Sequence, residues 1–307
     1  MDYFLEDKIT TNQLINPFSG FEIKIKREDK IHPIVSGNKF RKLKYNLASI
    51  KSQNKQPIIS FGGAFSNHLA ALAASGKMVG IPTIGIVRGE EWQNKITDSS
   101  TLTFCQSQGM QLIAISRANF RFKEQAKEVQ EIQNKFPHFI FLPEGGTNSL
   151  AVKGCQEILS KNDQDFDVIC VCVGTGGTLA GLIEGSAENQ QLLGFMSVKD
   201  TSLETKIAQF TNKKNWQLIE EYAFGGYAKI TPKLIVFINS FYQQYGIPLD
   251  PIYTGKMLFG IFDLIEQNKW QWGQKILIIH SGGLQGIAGI NYQLRKKGQP
   301  ELLFSGV

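Results

Sequence analysis

Cysteine and histidine are both scarce in this sequence. Its 307 residues include only four cysteines and four histidines, and neither type is clustered. Four cysteines are too few to form a disulfide framework in a chain of this length, and scattered histidines deprive a metal ion of its commonest ligands. Cys170 and Cys172 alternate in the run VICVCV, so they share one face of a predicted buried strand. We therefore expect reduced core cysteines and no metal site.

Long hydrophobic runs are absent as well. A membrane-spanning helix needs about 20 consecutive apolar residues, whereas the longest apolar runs, VICVCV at 168–173 and ILII at 276–279, are only long enough for strands. The first ten residues, MDYFLEDKIT, contain acidic side chains and no apolar stretch of the kind that marks a secretory signal. We therefore expect a cytoplasmic protein with no membrane partner.

The sequence also lacks a concentrated block of charge. Thirty-three basic and 27 acidic residues give a net charge of +6, and the basic clusters KIKRED, KFRKLK, NKKN and RKKG are scattered along the chain. Nucleic-acid-binding proteins more often collect their positive charge on one stripe or carry a recognisable binding module. A small anionic ligand is therefore a better candidate partner than a nucleic acid.

Short apolar runs alternate with longer helical patterns through most of the chain. Strand-like runs such as PIISFGG, TIGIVRG, MQLIAIS and FIFLP are separated by helical patterns, one of them a continuous amphipathic segment at 121–136. A second series begins near residue 168 with VICVCV. Apolar runs of this kind are typical of parallel strands covered on both faces. The alternation predicts an α/β fold with two lobes, mostly parallel sheets and a ligand cleft at the carboxyl ends of strands.

The segment CVGTGGTLAG is the most specific local signal. A predicted buried strand ends at the turn Thr175-Gly176-Gly177-Thr178, and a helix begins at once. Free backbone N–H groups and the positive end of a helix dipole would face a ligand in that turn, so it predicts a phosphate cradle. Leu179 replaces the third glycine of a dinucleotide fingerprint, and no phosphate-binding Gly-Lys-Ser/Thr follows. A tight turn without any ligand remains the alternative.

Two further strand–glycine–helix junctions and a cluster of lysines accompany this turn. In SFGGAFSNH, Ser66 and Asn67 lie where a helix N-cap belongs, so capping is the alternative to a ligand-binding role. HSGG at 280–283 forms the third junction, and SGNKFRKLK at 36–44 places three lysines at a predicted helix start. A solvated charge run would explain the lysines alone. Together with three glycine junctions, they indicate a phosphorylated cofactor held between the lobes.

These segments resemble the fold type II pyridoxal-phosphate enzymes, specifically the family of 1-aminocyclopropane-1-carboxylate deaminase and D-cysteine desulfhydrase. IKRED, GNKFRKLKY, GGAFSNH, GTGGTLAG, DPIYTGKM and HSGG occur in the family's order and span residues 24–283. The resemblance implies a two-lobed fold like the tryptophan synthase β-subunit, with pyridoxal 5'-phosphate as cofactor. It also implies a larger cofactor-binding domain from residues 1–45 and 151–307, a smaller domain from 46–150, a small amino-acid substrate and a homodimer.

The resemblance assigns the lysine cluster. The family's Schiff-base lysine follows Gly-Asn, which makes it Lys39, while Arg41, Lys42 and Lys44 are interpreted as helix surface and phosphate-side charge. A cleft lowers the pKa of a lysine through desolvation and nearby positive charge, as an amine that attacks an aldehyde requires. The freed Lys39 amine could then act as a general base.

The resemblance also gives roles to the remaining motif residues. The cofactor phosphate would be held by four residues of the glycine turn, Thr175, Gly176, Gly177 and Thr178. Asn67 would pair with the ring hydroxyl of the cofactor, and Ser66 would contact the substrate carboxylate. The two active-site phenols would be Tyr253 and Tyr227. For both tyrosines the alternative is an aromatic side chain that packs in the core with a satisfied hydroxyl.

Two positions separate the branches of the family. Thr254 stands where deaminases have a glutamate on the pyridine nitrogen, and Ser281 where they have leucine. A hydroxyl cannot supply the charge that keeps the ring protonated, which favours β-elimination of thiolate over opening of a cyclopropane ring. We therefore predict a lyase that converts D-cysteine, or a related small β-substituted amino acid, to pyruvate, ammonia and sulfide. Which of Thr254 and Ser281 contacts the nitrogen stays open.

One departure from the family, together with three alternatives, leaves the substrate open. Phe65 replaces the glutamine that commonly precedes Ser-Asn, which would suit a different or larger substrate. Within the cofactor class, the alternatives are 1-aminocyclopropane-1-carboxylate deamination and a dehydratase or racemase of small amino acids. Outside it, the alternative is a non-catalytic α/β protein that binds phosphate or a nucleotide.

Overall fold

The computed structural model describes residue 6 and residues 8–51, 56–135, 138–226 and 228–304. In this part of the chain ten strands form two sheets, which confirms the predicted α/β class. The strands are β1 (Asn12–Ile15), β2 (Glu22–Lys26), β3 (Ile58–Gly62), β4 (Thr83–Arg88), β5 (Gln111–Ile115), β6 (Ile140–Leu142), β7 (Val168–Val173), β8 (Gln191–Met196), β9 (Trp216–Ile219) and β10 (Lys275–Ile279).

The larger sheet has the order β1-β2-β10-β7-β8-β9. β1 and β2 pair antiparallel, and every other neighbouring pair is parallel. All six residues of β7 are buried, as expected of a central strand that is covered by helices on both faces. The carboxyl ends of β7 and β10 therefore lie side by side, and they lead into the Thr175–Thr178 turn and into Ser281.

The smaller sheet has the order β5-β4-β3-β6, and all of its strands are parallel. Its central strand β3 is buried throughout and leads into the second glycine junction, before Ser66. Aromatic side chains cover one face of this sheet, where Phe61 packs against Phe120 and Phe141.

Eleven α-helices occur in the described residues. They are α1 (Asn38–Lys51), α2 (Asn67–Val79), α3 (Ser100–Ser107), α4 (Arg117–Phe120), α5 (Lys127–Lys135), α6 (Ser149–Gln156), α7 (Gly177–Gly185), α8 (Leu203–Ala208), α9 (Pro232–Tyr245), α10 (Thr254–Glu266) and α11 (Ile287–Lys296). None of them is both long and apolar enough to cross a membrane.

Helix α1 connects the two sheets. Its apolar side chains, including Phe40, Leu43 and Leu47, pack into the core of the smaller sheet. Its opposite side contacts α6 closely, because a Cβ on Gly154 would lie 2.0 Å from the Arg41 carbonyl oxygen. At its start, the Asn38 N–H donates to the Ser281 carbonyl oxygen at 3.1 Å, which ties α1 to the end of β10.

The strands of the two sheets come from separate parts of the chain. The smaller sheet uses residues 58–142, and the larger sheet uses 12–26 and 168–279. The predicted domain boundaries at 45/46 and 150/151 fall inside α1 and α6. The division of the chain into domains at those residues stays a prediction.

The amphipathic segment at 121–136 does not form one helix. The described part of it contains a short 3-10 helix at Lys123–Gln125, followed by α5 from Lys127. Ala126 between them has an extended backbone, with φ −62° and ψ 138°, and Lys123 has a positive φ of 50°. Val129 and Ile132 of α5 are in the core, but the amphipathic pattern did not indicate the break before Lys127.

Candidate active site

The Thr175–Thr178 turn has the shape of an anion cradle. Gly176 has a left-handed backbone with a φ of 84°, and α7 begins at the next residue. Side chains cannot be added here, since a Cβ on Gly176 would lie 2.8 Å from Ile207 Cγ1 and one on Gly177 would lie 2.7 Å from Thr147 Oγ1. The first N–H groups of an α-helix have no partner within the helix, so the start of α7 can bind an anion.

Lys42 adds a cation to this turn. Its Nζ donates to the Gly145 carbonyl oxygen at 2.9 Å and to Thr147 Oγ1 at 3.0 Å, and it lies 3.4 Å from Thr175 Oγ1. Burial and the positive charge of Lys39 lower the pKa of Lys42 to about 7. The two threonine hydroxyls are 2.7 Å apart, so hydroxyl groups and an amine converge on the cradle. That Lys42 supplies charge on the phosphate side stays a prediction.

The prediction that these cations form a helix surface is wrong. Arg41, Lys42 and Lys44 are each only 2% exposed. Arg41 forms a bidentate pair with the fully buried Glu28, with both N···O distances 2.9 Å, and Lys44 Nζ lies 2.6 Å from Glu157. These two cations hold α1 against its neighbours, because a buried charge is stable only when it is paired.

Lys39 lies between the cradle and the third glycine junction. It is half-buried, and its Nζ donates to Asn38 Oδ1 at 3.2 Å, while Asn38 Nδ2 donates to Thr178 Oγ1 at 2.7 Å. Burial lowers the pKa of the Lys39 amine, although the nearby Asp250 carboxylate opposes that shift. A lysine with a lowered pKa supplies the unprotonated amine that nucleophilic attack on a carbonyl requires.

The second and third glycine junctions meet at Asn67. Ser66 caps α2 by accepting from the Leu69 N–H at 3.2 Å, so the capping interpretation is correct for Ser66. Asn67 contacts the other junction, since a Cβ on Gly283 would lie 3.1 Å from Asn67 Nδ2. Asn67, at the start of α2, therefore lies beside the third glycine junction.

His68 belongs to this site, although the sequence reasoning gave it no role. Ser60 Oγ donates its single hydrogen to the Leu142 carbonyl oxygen at 2.7 Å, so the 2.8 Å contact with His68 Nε2 must use the imidazole hydrogen. The other ring nitrogen, Nδ1, is buried without a hydrogen-bond partner among the described residues, next to Gly146. Burial and the charges of Lys39 and Lys42 hold the pKa of His68 well below its usual value. A buried neutral acceptor without a partner among the described residues therefore lies next to Gly146, and the His in SNH is the only sequence feature that could have indicated it.

Tyr253 and Ser281, two of the predicted site residues, lie near the end of β7. The ring of Tyr253 would contact a Cβ on Gly174 at 3.5 Å, next to the cradle. Ser281 Oγ lies 3.1 Å from Cys172 Sγ, and Thr254 is fully buried with its hydroxyl donating to Asp250. Tyr227, the second predicted phenol, lies outside the described residues.

These residues fit a phosphorylated aldehyde. The cradle offers helix N–H groups, hydroxyls and the Lys42 amine to a phosphate, and it has no room for a side chain. The Lys39 amine lies beside it with a lowered pKa, as an aldehyde partner requires. The orphaned His68 Nδ1 is a buried acceptor that a ligand donor could satisfy.

Comparisons with known proteins agree with this geometry. The sequence pattern of the family described as "Pyridoxal-phosphate dependent enzyme" matches residues 10–282. A protein of Pyrococcus horikoshii named "Putative 1-aminocyclopropane-1-carboxylate deaminase" is 30% identical over 290 residues, which are 87% of this chain and 86% of the relative. The mitochondrial "Bifunctional D-cysteine desulfhydrase/1-aminocyclopropane-1-carboxylate deaminase" of Arabidopsis thaliana is 29% identical over 88% of this chain and 74% of its own length.

Solved structures give the same result for the fold. The crystal structure of an "ACC deaminase homologue" superimposes with a TM-score of 0.79 at 27% identity and covers 95% of this chain and 94% of its own. The two proteins therefore share one overall fold.

Proposed function

We propose that this chain, which belongs to the pyridoxal-phosphate dependent enzyme family, is a lyase for D-cysteine or a related small β-substituted amino acid. The reaction would consume one water molecule and convert D-cysteine to pyruvate, ammonia and hydrogen sulfide. The observation that carries the proposal is the position of Lys39. Its amine donates to Asn38 Oδ1, and Asn38 in turn bonds to Thr178 of the cradle and, through its backbone N–H, to the Ser281 carbonyl oxygen. We also retain the sequence-based predictions of a cytoplasmic location and a homodimer.

The cradle would hold the cofactor by its phosphate. The N–H groups at the start of α7 and the hydroxyls of Thr175 and Thr178 would donate to it, and Lys42 would neutralise part of its charge. When bound, pyridoxal 5'-phosphate supplies an electron-withdrawing ring that stabilises negative charge at the α-carbon of an amino acid. Asn67 would pair with its ring hydroxyl, as the resemblance implies.

The substrate would be held and deprotonated by residues of both lobes. The free N–H groups at the start of α2 would donate to the substrate carboxylate, and Ser66 would contact it as the resemblance implies. Lys39 would remove the α-proton as general base, because its lowered pKa leaves part of the amine unprotonated. The electron pair of that C–H bond would then form the α–β double bond while the C–S bond breaks, and Tyr253, whose ring lies near Gly174, would donate a proton to the departing sulfur.

A second candidate activity is the deamination of 1-aminocyclopropane-1-carboxylate. The names of the Pyrococcus horikoshii and Arabidopsis thaliana relatives both include it. Within this chain, the observation that favours it is the buried carboxylate of Asp250, which accepts the hydroxyl hydrogen of Thr254. A carboxyl group therefore lies one hydrogen bond away from Thr254, although Thr254 itself carries no charge.

A substrate panel tests the proposal. Purified protein supplemented with pyridoxal 5'-phosphate should show a visible absorbance band and release sulfide from D-cysteine faster than from L-cysteine. Lys39→Ala should lose the band and the activity. Lys161→Ala, which changes a lysine of the short 3-10 helix at Lys161–Asp163 before β7, should keep both. Formation of ketobutyrate from 1-aminocyclopropane-1-carboxylate without sulfide release would select the second candidate, and a wild-type protein without the band would contradict both.

A further inference from the structure

Phe65, which stands where the family commonly has glutamine, has no part in the proposed reaction. Its ring is partly buried and packs edge-to-face against Trp92, with the ring centroids 5.8 Å apart and an interplanar angle of 85°. Both rings pack against the core of the smaller sheet, and we call this sheet and the helices on it the smaller lobe. The position therefore carries an aromatic contact instead of an amide.

The same ring reaches helix α11 of the larger lobe, which is built on the larger sheet. A Cβ on Gly289 would lie 3.8 Å from Phe65 Cε1 and 3.9 Å from Phe65 Cδ1, so the space between the backbone of α11 and the ring holds no more than a methyl group. Helix α11 belongs to the larger lobe because Ile287 and Leu294 are in the core of the larger sheet. Phe65 therefore contacts both lobes.

The backbone beside Phe65 is fixed to a second point of contact with α11. Ser99 Oγ donates to the Ala64 carbonyl oxygen at 2.6 Å, and Ser99 is also the N-cap of α3. Ser100, the first residue of α3, meets α11 as well, since a Cβ on Gly289 would lie 3.1 Å from Ser100 Oγ. The turn that carries Phe65 and the start of α3 therefore support the same helix together.

These contacts adjoin the two residues that would meet the substrate and the cofactor. Ser66 and Asn67 follow Phe65 directly, at the start of α2. A Cβ on Gly283 would lie 3.1 Å from Asn67 Nδ2, and a Cβ on Gly286 would lie 3.9 Å from Asn67 Oδ1. Both glycines come shortly before α11, so Phe65 and Asn67 contact one continuous stretch of the larger lobe. Separation of Phe65 from α11 would therefore move Asn67 away from the third glycine junction.

We propose that Phe65 is a positioning residue: its ring clasps the smaller lobe to α11 and thereby holds Ser66 and Asn67 against the third glycine junction. The proposal rests on the proposed function, which gives Ser66 and Asn67 their roles toward substrate and cofactor. A glutamine side chain would bring polar atoms into this apolar contact and could not replace the ring. Because Trp92 and Gly289 account for the position of the ring, Phe65 gives no reason to expect a substrate larger than D-cysteine.

The first test measures the contact between the lobes and needs no substrate. Hydrogen–deuterium exchange of the protein, supplemented with pyridoxal 5'-phosphate, is followed by mass spectrometry in peptides from residues 63–72 and 284–296. Phe65→Ala should increase exchange in both segments, because loss of the ring lets the two lobes separate more easily. Phe139→Ala is the matched control and should change neither segment, since Phe139 is also partly buried in the smaller lobe and packs edge-to-face against Phe141 at 4.9 Å.

The second test separates positioning of the substrate site from general stability. In Phe65→Ala the KM for D-cysteine should rise about two- to tenfold, the range that loss of one aromatic contact implies. The kcat should stay within about twofold of wild type, because the contact is the same before and during the reaction. Trp92→Ala should also raise the KM, and the double variant should resemble Phe65→Ala, because both changes remove one shared contact. Phe65→Leu, which keeps an apolar side chain, should recover part of the affinity.

Four results would overturn the proposal. They are unchanged exchange of residues 284–296 in Phe65→Ala, an unchanged KM in that variant, an equal rise in KM in Phe139→Ala, and a KM at or below the wild-type value in Phe65→Gln. If Phe65→Ala does not fold, Trp92→Ala and Phe65→Gln decide the question. Failure of the proposed function would appear differently, as a wild-type protein without a visible cofactor band or without lyase activity, and the exchange result would then still decide whether Phe65 holds the lobes together.

Discussion

Lys39 and Lys42 lie within one turn of α1, and their amines have different neighbours. The Lys39 amine donates to Asn38 Oδ1, and the Lys42 amine lies among Thr147, Thr175 and Gly145. Both have a lowered pKa because burial disfavours the ammonium form. The motif GNKFRKLK indicates which lysine is the nucleophile only through its resemblance to a family. The three-residue spacing, however, physically places both amines on one helix face.

We predict that phosphate binding is linked to proton uptake at Lys42. Its pKa of about 7 means that the amine is mostly neutral above that pH in the free protein, whereas a phosphate dianion favours the ammonium. Affinity for pyridoxine 5'-phosphate, which has no aldehyde to react with Lys39, should therefore fall between pH 7 and 9, by up to about tenfold per pH unit. Isothermal titration calorimetry in buffers of different ionisation enthalpy measures both the affinity and the number of protons taken up on binding.

Two variants serve as controls for this linkage. Lys42→Met should bind more weakly with a flat profile over that range. Lys39→Met should move the decline to higher pH, because the charge of Lys39 is one cause of the lowered Lys42 pKa. A wild-type affinity that does not change between pH 7 and 9 would exclude Lys42 as the linked group.

At the scale of elements, α1 is held in place by contacts that are remote in sequence. α6 crosses it so closely that Gly154 has no room for a methyl group, and Gly181 of α7 packs in the same way on Cys155 of α6. The helical patterns at the start of α1 and in α7 were recognisable from the sequence, but α6 was not predicted. Strands β1, β2 and β9 were also missed. For β2, the segment KIKRED looked like a basic cluster, although Ile23 and Ile25 are fully buried.

We predict that Gly154→Ala destabilises the protein despite the better helix propensity of alanine. Its Cβ would lie 2.0 Å from the Arg41 carbonyl oxygen, so α1 and α6 would have to separate. Overpacking of this kind costs about 1–3 kcal/mol or more, against a gain of about 1 kcal/mol from propensity. Urea unfolding should show a lower midpoint, and cofactor affinity should fall because α1 carries Lys39.

A matched glycine controls for the substitution itself. Gly63→Ala adds the same methyl group where the nearest neighbouring atom is Arg88 Nη2 at 4.0 Å, so its unfolding midpoint should stay close to the wild-type value. Equal midpoints for Gly154→Ala and wild type would mean that the helices can separate at little cost.

At the scale of the whole molecule, the candidate site lies where the cores of the two sheets approach each other. The larger sheet supplies the cradle after β7, Ser281 after β10 and Thr254 on α10. The smaller sheet supplies Asn67 and His68 on α2. α1 belongs to the core of the smaller sheet, yet its first residues bind the larger one. A ligand that touches all of these groups therefore joins the two halves of the molecule.

We predict that the cofactor raises the melting temperature and that its phosphate is required for the effect. A ligand that binds only the folded state at 100 times its dissociation constant contributes about 2.7 kcal/mol, which is a shift of several degrees in a chain of this size. Pyridoxal, which lacks the phosphate, should give a much smaller shift at equal concentration. Differential scanning calorimetry measures the melting temperature with each compound. Equal shifts in melting temperature for pyridoxal 5'-phosphate and pyridoxal would exclude the Thr175–Thr178 turn as the phosphate site.

The sequence by itself determined the α/β class, the three glycine junctions and the family to which the nucleophilic Lys39 points. Such features are local: periodicity reports which face is buried, and a glycine turn after an apolar run reports a strand–helix junction. Only the tertiary structure decided that Arg41 and Lys44 are buried in ion pairs, that His68 Nδ1 is buried without a hydrogen-bond partner among the described residues, and that Asp250 takes the hydrogen of Thr254. The first two depend on partners far along the chain, whose distances no local pattern records, and the third depends on side-chain directions.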